Sequence, residues 1–181
     1  MKNKQLHLLI YIILFCFSYC KDSYQVKIDN KFIEKTPEFV IDANKMMVEY
    51  EENIIDSLLN LAILPFSKDN SGIRICLNKI QDTDSVSFPQ DGDYVTVLYN
   101  CVVFNDIKLI SNDILVDTIS FKIGHSKQMK GLNYAIKLLK VGDKAKIIIP
   151  SYLGFGMSGY GKTVPSYSTL LLNVKLLNIK K

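Results

Sequence analysis

Residues 129–179 read MKGLNYAIKLLKVGDKAKIIIPSYLGFGMSGYGKTVPSYSTLLLNVKLLNI. Leu132, Ala135, Ile136 and Leu139 recur at helical spacing, so 129–139 is expected to be a helix with one apolar face. Gly142-Asp143 ends it in a turn. Residues 144–150 and 169–179 read as strands. The loop between them is rich in glycine and tyrosine and closes on Val164-Pro165. The stretch holds no catalytic triad, metal cluster or phosphate loop, and the chain's two histidines are His7 and His125. Chemistry here has to come from the shape and dryness of a pocket, not from nucleophiles or proton relays.

Upstream, residues 117–124 alternate as a strand. Residues 94–104 form a longer one, rich in β-branched and aromatic side chains. Asn105-Asp106 is a turn after which 107–110 returns as a strand. A further strand, 73–80, follows the turn cluster Lys68-Asp69-Asn70-Ser71-Gly72. One helix among about five strands joined by hairpin-like loops implies an α+β fold, an antiparallel sheet wrapped on a helix. Ahead of it, 38–63 is a candidate amphipathic helix. Val40, Ala43, Met47, Tyr50, Ile54, Leu58 and Leu61 form its stripe, with Pro37 and Pro65 at its limits. That stripe suits packing on its own domain, a homodimer seam, or a partner helix. Residues 20–37 are polar and patternless, as in a tether.

The amino terminus has the form of an export signal, residues 1–19. Lys2 and Lys4 precede an unbroken apolar run of ten residues, LLIYIILFCF at 8–17. Ten suits a signal core, whereas a membrane span needs roughly 20. Cys20 follows, as in a bacterial lipoprotein signal that would place lipid on Cys20, although Tyr19 stands where such signals favour a small residue. An uncleaved anchor and ordinary secretion are the alternatives. The expected location is the cell envelope, at a membrane or in the periplasm. The net charge of +4 includes Lys2 and Lys4, so loss of the leader leaves about +2. No basic stripe with interleaved aromatics is present, which argues against a nucleic-acid partner. Cys76 and Cys101 sit in strand-like segments and read as buried small hydrophobes. An exported location permits a disulfide, but two distant cysteines make a poor zinc site.

From Gly92 onward the ordered set of motifs resembles the FKBP-type peptidyl-prolyl cis-trans isomerases. The motifs are the Tyr99 strand, Phe121 with Gly124, Gly131, Val141-Gly142, Phe155-Gly156, Val164-Pro165 and Thr169-Leu170. The resemblance covers half the chain and places an isomerase domain over 73–181. With the leader and a single preceding helix, the whole also resembles the gliding-motility-associated isomerase lipoproteins of Bacteroidetes. The implied fold is a half-barrel sheet around the helix, with the substrate prolyl ring in an apolar cavity. The implied clients are proline-containing polypeptides, and no cofactor is implied.

The family's site maps residue by residue. Tyr99 matches the pocket tyrosine, and Leu132 stands where tryptophan usually forms the floor. Met129 matches the position whose backbone N–H holds a substrate carbonyl, with Gln128 beside it. Val164 matches an aliphatic wall. Phe155 replaces a tyrosine whose hydroxyl bonds the substrate. Leu109, Ile119 and Leu172 replace phenylalanines, and Ile110 replaces an aspartate. These changes keep the pocket apolar but remove two polar handles. An X–Pro bond isomerises over a barrier of about 18–20 kcal/mol because amide resonance resists twisting. A dry, shaped cavity favours the twisted, less charge-separated transition state without acid or base. Each lost hydrogen bond would cost roughly 0.5–1.5 kcal/mol, weakening binding more than abolishing turnover. The lost handles also fit a second reading, a non-catalytic module that binds prolines or apolar peptides in an envelope assembly.

Overall fold

Alternating side chains along five long or medium strands give this chain two differently covered sheet faces. The computed structural model describes residues 30–78, 87–111 and 117–181. Two units partition the chain, Met1–Asp42 and Ala43–Lys181. Within the first, the described part is the opening of a helix, α1 (Asn30–Leu59), that continues into the second. The expected leader, Cys20 and the first part of the expected tether lie outside the described residues.

The helix differs from its sequence reading at both ends. It begins at Asn30, inside the stretch read as tether, and takes Pro37 into its body. Proline forgoes one intrahelical hydrogen bond there, which makes it look like a boundary in a sequence. At the other end α1 stops at Leu59, and a tight turn follows in which Ala62 N–H donates to the Leu59 carbonyl.

The second unit contains β1 (Ser67–Lys68), β2 (Arg74–Asn78), β3 (Tyr94–Val103), β4 (Asp117–Lys122), α2 (Lys130–Ile136), β5 (Lys144–Ile149) and β6 (Leu170–Lys180). The strands form one antiparallel sheet in the order β1-β2-β5-β6-β3-β4. The two long strands, β3 and β6, are neighbours in it. An extra residue in β6, Leu177, shifts the β3–β6 register between Thr96 and Val97, a bulge that increases local twist. The expected return strand at 107–110 is instead a 3-10 turn, Ile107–Ser111.

Period-two alternation sorts the apolar residues. Ile75, Val95, Val97, Ala145, Ile147, Ile149, Leu170, Leu172, Val174 and Leu176 point to one face and enclose α2. Leu132, Ala135, Ile136 and Leu139 on or just after α2 are wholly buried against them. Gly131 brings the helix close, because a methyl group added there would collide with the Ile149 side chain. The opposite, outer face carries a second cluster of Ile55, Phe104, Ile110, Ile148 and Leu171. The α1 residues after Asp42 and the turn at 107–111 cover that face.

Docking of α1 differs from the stripe read in the sequence. Met47, Tyr50, Ile54 and Leu61 remain exposed. The buried contact is Ile55, flanked by Leu58, Leu59 and Ala62. Carboxylates supply the rest. Glu51 accepts from Ser151 N–H and Oγ, both at 2.7 Å, and from Thr169 Oγ1 at 2.6 Å. Glu52 takes both Arg74 Nη atoms at 2.8–2.9 Å, and Asp56 accepts from Arg74 Nε and Nη2. Sequence periodicity counts only apolar residues, so a face held by ion pairs is invisible to it.

Candidate active site

The enclosed face of the sheet gathers most of the residues that the motifs single out. Leu132 and Leu172 are fully buried there, and Tyr99, Ile119, Met129, Phe155 and Val164 are half-buried against the same cluster. Tyr99 on β3 pairs across the ladder with Asp117 of β4 on one side and Val174 of β6 on the other. Ile119 lies two pairs further along the ladder, on the same face, opposite Val97. Leu132, on α2, is fully buried in the core beneath them.

Met129 caps α2 with extended backbone, φ −56° and ψ 144°. Its position is fixed by Asn133, a buried side chain that the motifs do not reveal. Asn133 Oδ1 accepts from Gly124 N–H at 2.9 Å, and its Nδ2 donates to the Met129 and Gln128 carbonyls at 3.1 and 3.3 Å. One amide thus ties the turn before the helix to the helix itself. The available signal was a polar residue adjoining Leu132 on an otherwise apolar helix surface. Gln128 is half-buried at this turn and is held through its carbonyl.

The wall opposite α2 is built by the glycine-rich loop. After β5, Pro150 leads into two short 3-10 turns, Ser151–Leu153 and Gly156–Ser158, with Phe155 between them. Tyr160 and Val164 exchange backbone hydrogen bonds of 2.9 and 3.1 Å, closing the loop into a small hairpin. Gly159 makes this possible, because its φ is +62° and a β-carbon there would strike the Val164 carbonyl. The ring of Tyr160 stacks on Phe155 with centroids 4.9 Å apart and planes 27° apart. Tyr160, like Asn133, is missing from the motif reading, and the loop's tyrosine richness was its signal.

Leu109 and Ile110 do not join this face. Ile110 is 4% exposed and belongs to the outer cluster with Ile55 and Leu171, and Leu109 packs beside it. The 3-10 turn replaces the expected strand and carries both residues across the sheet edge, so neither lines the pocket. The aspartate expected at position 110 has no counterpart there. The carboxylate facing Tyr99 is that of Asp117.

Electrostatically the site is quiet. Burial raises the Tyr99 hydroxyl above its ordinary value, and the nearby Asp117, Cys101 and Tyr160 add to the rise. Burial also pushes the Cys101 thiol up to about 11. Both therefore remain protonated near neutrality. Cys76 and Cys101 are free and cannot join within the chain. They face opposite sides of the sheet and stand three strands apart, about 14 Å, beyond disulfide reach. No group of three metal-ligating side chains converges among the described residues. The arrangement can bind an apolar ring, exclude water and present a fixed backbone edge.

A family model for FKBP-type peptidyl-prolyl cis-trans isomerases matches residues 85–177. FK506-binding protein 1 of Saccharomyces cerevisiae is 32% identical over 106 residues, which are 59% of this chain and 93% of that protein. Its namesake in Eremothecium gossypii is 31% identical over 106 residues, with the same 59% and 93% coverage. The crystal structure of FkpA from Escherichia coli superposes with a TM-score of 0.55 at 20% identity, covering 96% of this chain and 81% of that one. A peptidyl-prolyl isomerase structure from Pseudomonas syringae gives 0.58 at 15% identity, covering 76% and 96%. With the matched segment taking in β3, β4, α2, β5, most of β6 and the Phe155–Val164 wall, the chain belongs to the FKBP-type peptidyl-prolyl cis-trans isomerases.

Proposed function

We propose that this isomerase acts on exported chains at a membrane, held there by lipid on Cys20. The apolar lining of the recess carries the reading of the site. A prolyl ring entering between Tyr99, Leu132, Phe155 and Val164 leaves water, and with it the amide loses the solvent that favours its planar, charge-separated state. The Met129 backbone N–H, presented at the start of α2, holds the client carbonyl. The Phe155–Tyr160 stack forms a rigid wall that selects the twisted geometry.

The lysine-flanked apolar leader and Cys20 support the export and anchoring. Leader, helix and single isomerase domain together favour a place among the gliding-motility-associated lipoproteins. Two measurements test the proposal separately. In a protease-coupled assay on an X–Pro peptide, Phe155→Ala should lower kcat/KM by tenfold or more; an unchanged value would place the site elsewhere. Mass spectrometry of the mature protein should find acylated Cys20 at the amino terminus. A free terminus at any other residue would remove the anchor while leaving the isomerase intact.

A further inference from the structure

The glycine-rich loop that walls the recess starts where β5 can no longer pair. The last rung between β5 and β6 joins Ile149 to Leu170. Pro150 follows, with no N–H to extend a ladder. The chain leaves the sheet there and returns at Thr169. A side chain from α1 joins the two ends. Glu51 Oε1 accepts from Ser151 N–H at 2.7 Å and from Thr169 Oγ1 at 2.6 Å, and Oε2 accepts from Ser151 Oγ at 2.7 Å. Hydrogen bonds to a carboxylate are shorter and stronger than neutral ones. Ser151 is buried, so water competes little for them. One residue on, Glu52 Oε1 accepts from the Tyr152 hydroxyl at 2.9 Å. Successive carboxylates of one helix thus hold successive residues of the loop's first turn.

The held ends frame the wall. Phe155 follows Ser151 by four residues, and Val164 precedes Thr169 by five. Phe155 stacks on Tyr160, and Tyr160 pairs with Val164, so a shift at either end carries the wall with it. Glu51 lies before the segment 85–177 that matches the family model, so this support comes from outside the matched part.

We propose that Glu51 is a positioning residue for the isomerase reaction. It pins both ends of the loop and so holds Phe155, Tyr160 and Val164 in the geometry that selects the twisted amide. This role exists only if the prolyl ring sits in that recess, as proposed above. Glu51 touches no client and moves no proton. It acts through the wall, where a misplacement of about 1 Å can cost about 100-fold in rate.

The test is the X–Pro assay on the purified full chain, run well below the melting midpoint of every variant. Glu51→Ala should lower kcat/KM by about tenfold. Glu51→Gln keeps the shape and can meet all three partners through its amide, so it should stay within about threefold of the parent. Amide hydrogen exchange in Glu51→Ala should quicken over residues 151–169 and keep its parental rate in β3. Asp56→Ala, which releases Arg74 rather than the loop, should melt earlier with parental kcat/KM. Thr169→Val deletes one of the three bonds. It should slow the parent and add nothing to Glu51→Ala. Parental kcat/KM in Glu51→Ala beside an impaired Phe155→Ala would overturn the role of Glu51 alone, whereas parental kcat/KM in Phe155→Ala would overturn the recess with it. Glu51→Gln as slow as Glu51→Ala, or an equal loss in Asp56→Ala, would show a merely structural carboxylate and overturn the proposal. If Glu51→Ala does not fold, Thr169→Val decides: parental kcat/KM there overturns the proposal as well.

Discussion

Arg74 is 2% exposed, and a guanidinium so buried has to be neutralised by its neighbours. Glu52 and Asp56 do this with bonds of 2.7–2.9 Å, and the Gly72 carbonyl accepts a further one at 2.6 Å. Arg74→Ala would remove the buried cation that ties Glu52 and Asp56 of α1 to β2, leaving Glu52 with Lys68 and Tyr152 alone. We expect it to lower the unfolding free energy by about 1–3 kcal/mol, measured by urea denaturation. Ile110 poses a different question. The family pattern has aspartate there, and a carboxylate in the pocket would bond the substrate. Packed on Ile55 and Leu171, however, an aspartate at 110 would be buried without a partner. Ile110→Asp should cost more than about 3 kcal/mol of stability and give no gain in prolyl affinity, checked by thermal melting and ligand titration. Tyr99 and Cys101 are both held protonated by burial, and the proposed turnover by desolvation and shape routes no proton through either. The isomerase rate should be nearly flat from about pH 6 to pH 8; a limb near the ordinary histidine value of about 6.5 would show that a titrating group takes part.

At the scale of elements, α1 is held to the sheet mainly by charge. Burial alone would raise the Glu52 carboxyl, but hydrogen bonds from Arg74, Lys68 and Tyr152 outweigh it and hold the pKa at about 2, against an ordinary 4.5. A carboxylate depressed in the folded state stabilises the protein fully above its unfolded pKa. That contribution is lost as pH falls through the folded value. The α1 clamp should therefore be intact above about pH 4.5 and weaken progressively toward pH 2, with a loss of at most ~3 kcal/mol from this group. Glu52→Gln should flatten this acid limb in pH-dependent denaturation. If the limb is unchanged, other carboxylates carry it. The glycine-rich loop shares the same support from behind, because Glu51 binds Ser151 four residues before Phe155.

At the scale of the whole molecule, α1 presents one face to the sheet and leaves another bare. Met46, Met47, Tyr50 and Ile54 are exposed along it. We expect that face to pair with a second copy of the chain, so that Met47→Glu with Ile54→Glu yields a monomer in sedimentation equilibrium while the isomerase rate per chain holds. An unchanged mass in the variant would leave the face without that role. The α+β class and the strands that became β2 to β6 were legible in the sequence, as was the helix after Met129, which runs Lys130–Ile136 and so is shorter than the 129–139 its spacing implies. Each rests on local periodicity and on the ordered motifs from Tyr99 to Leu170. Tertiary structure alone decided the rest. Asn133 and Tyr160 act through contacts that have no spacing signature, and Arg74 docks α1 through carboxylates that a hydrophobic pattern ignores. Leu109 and Ile110 were assigned to the pocket by alignment. A 3-10 turn in place of a strand carries them to the outer face, because a strand's side chains alternate by position whereas a turn's go wherever the sheet edge leaves room.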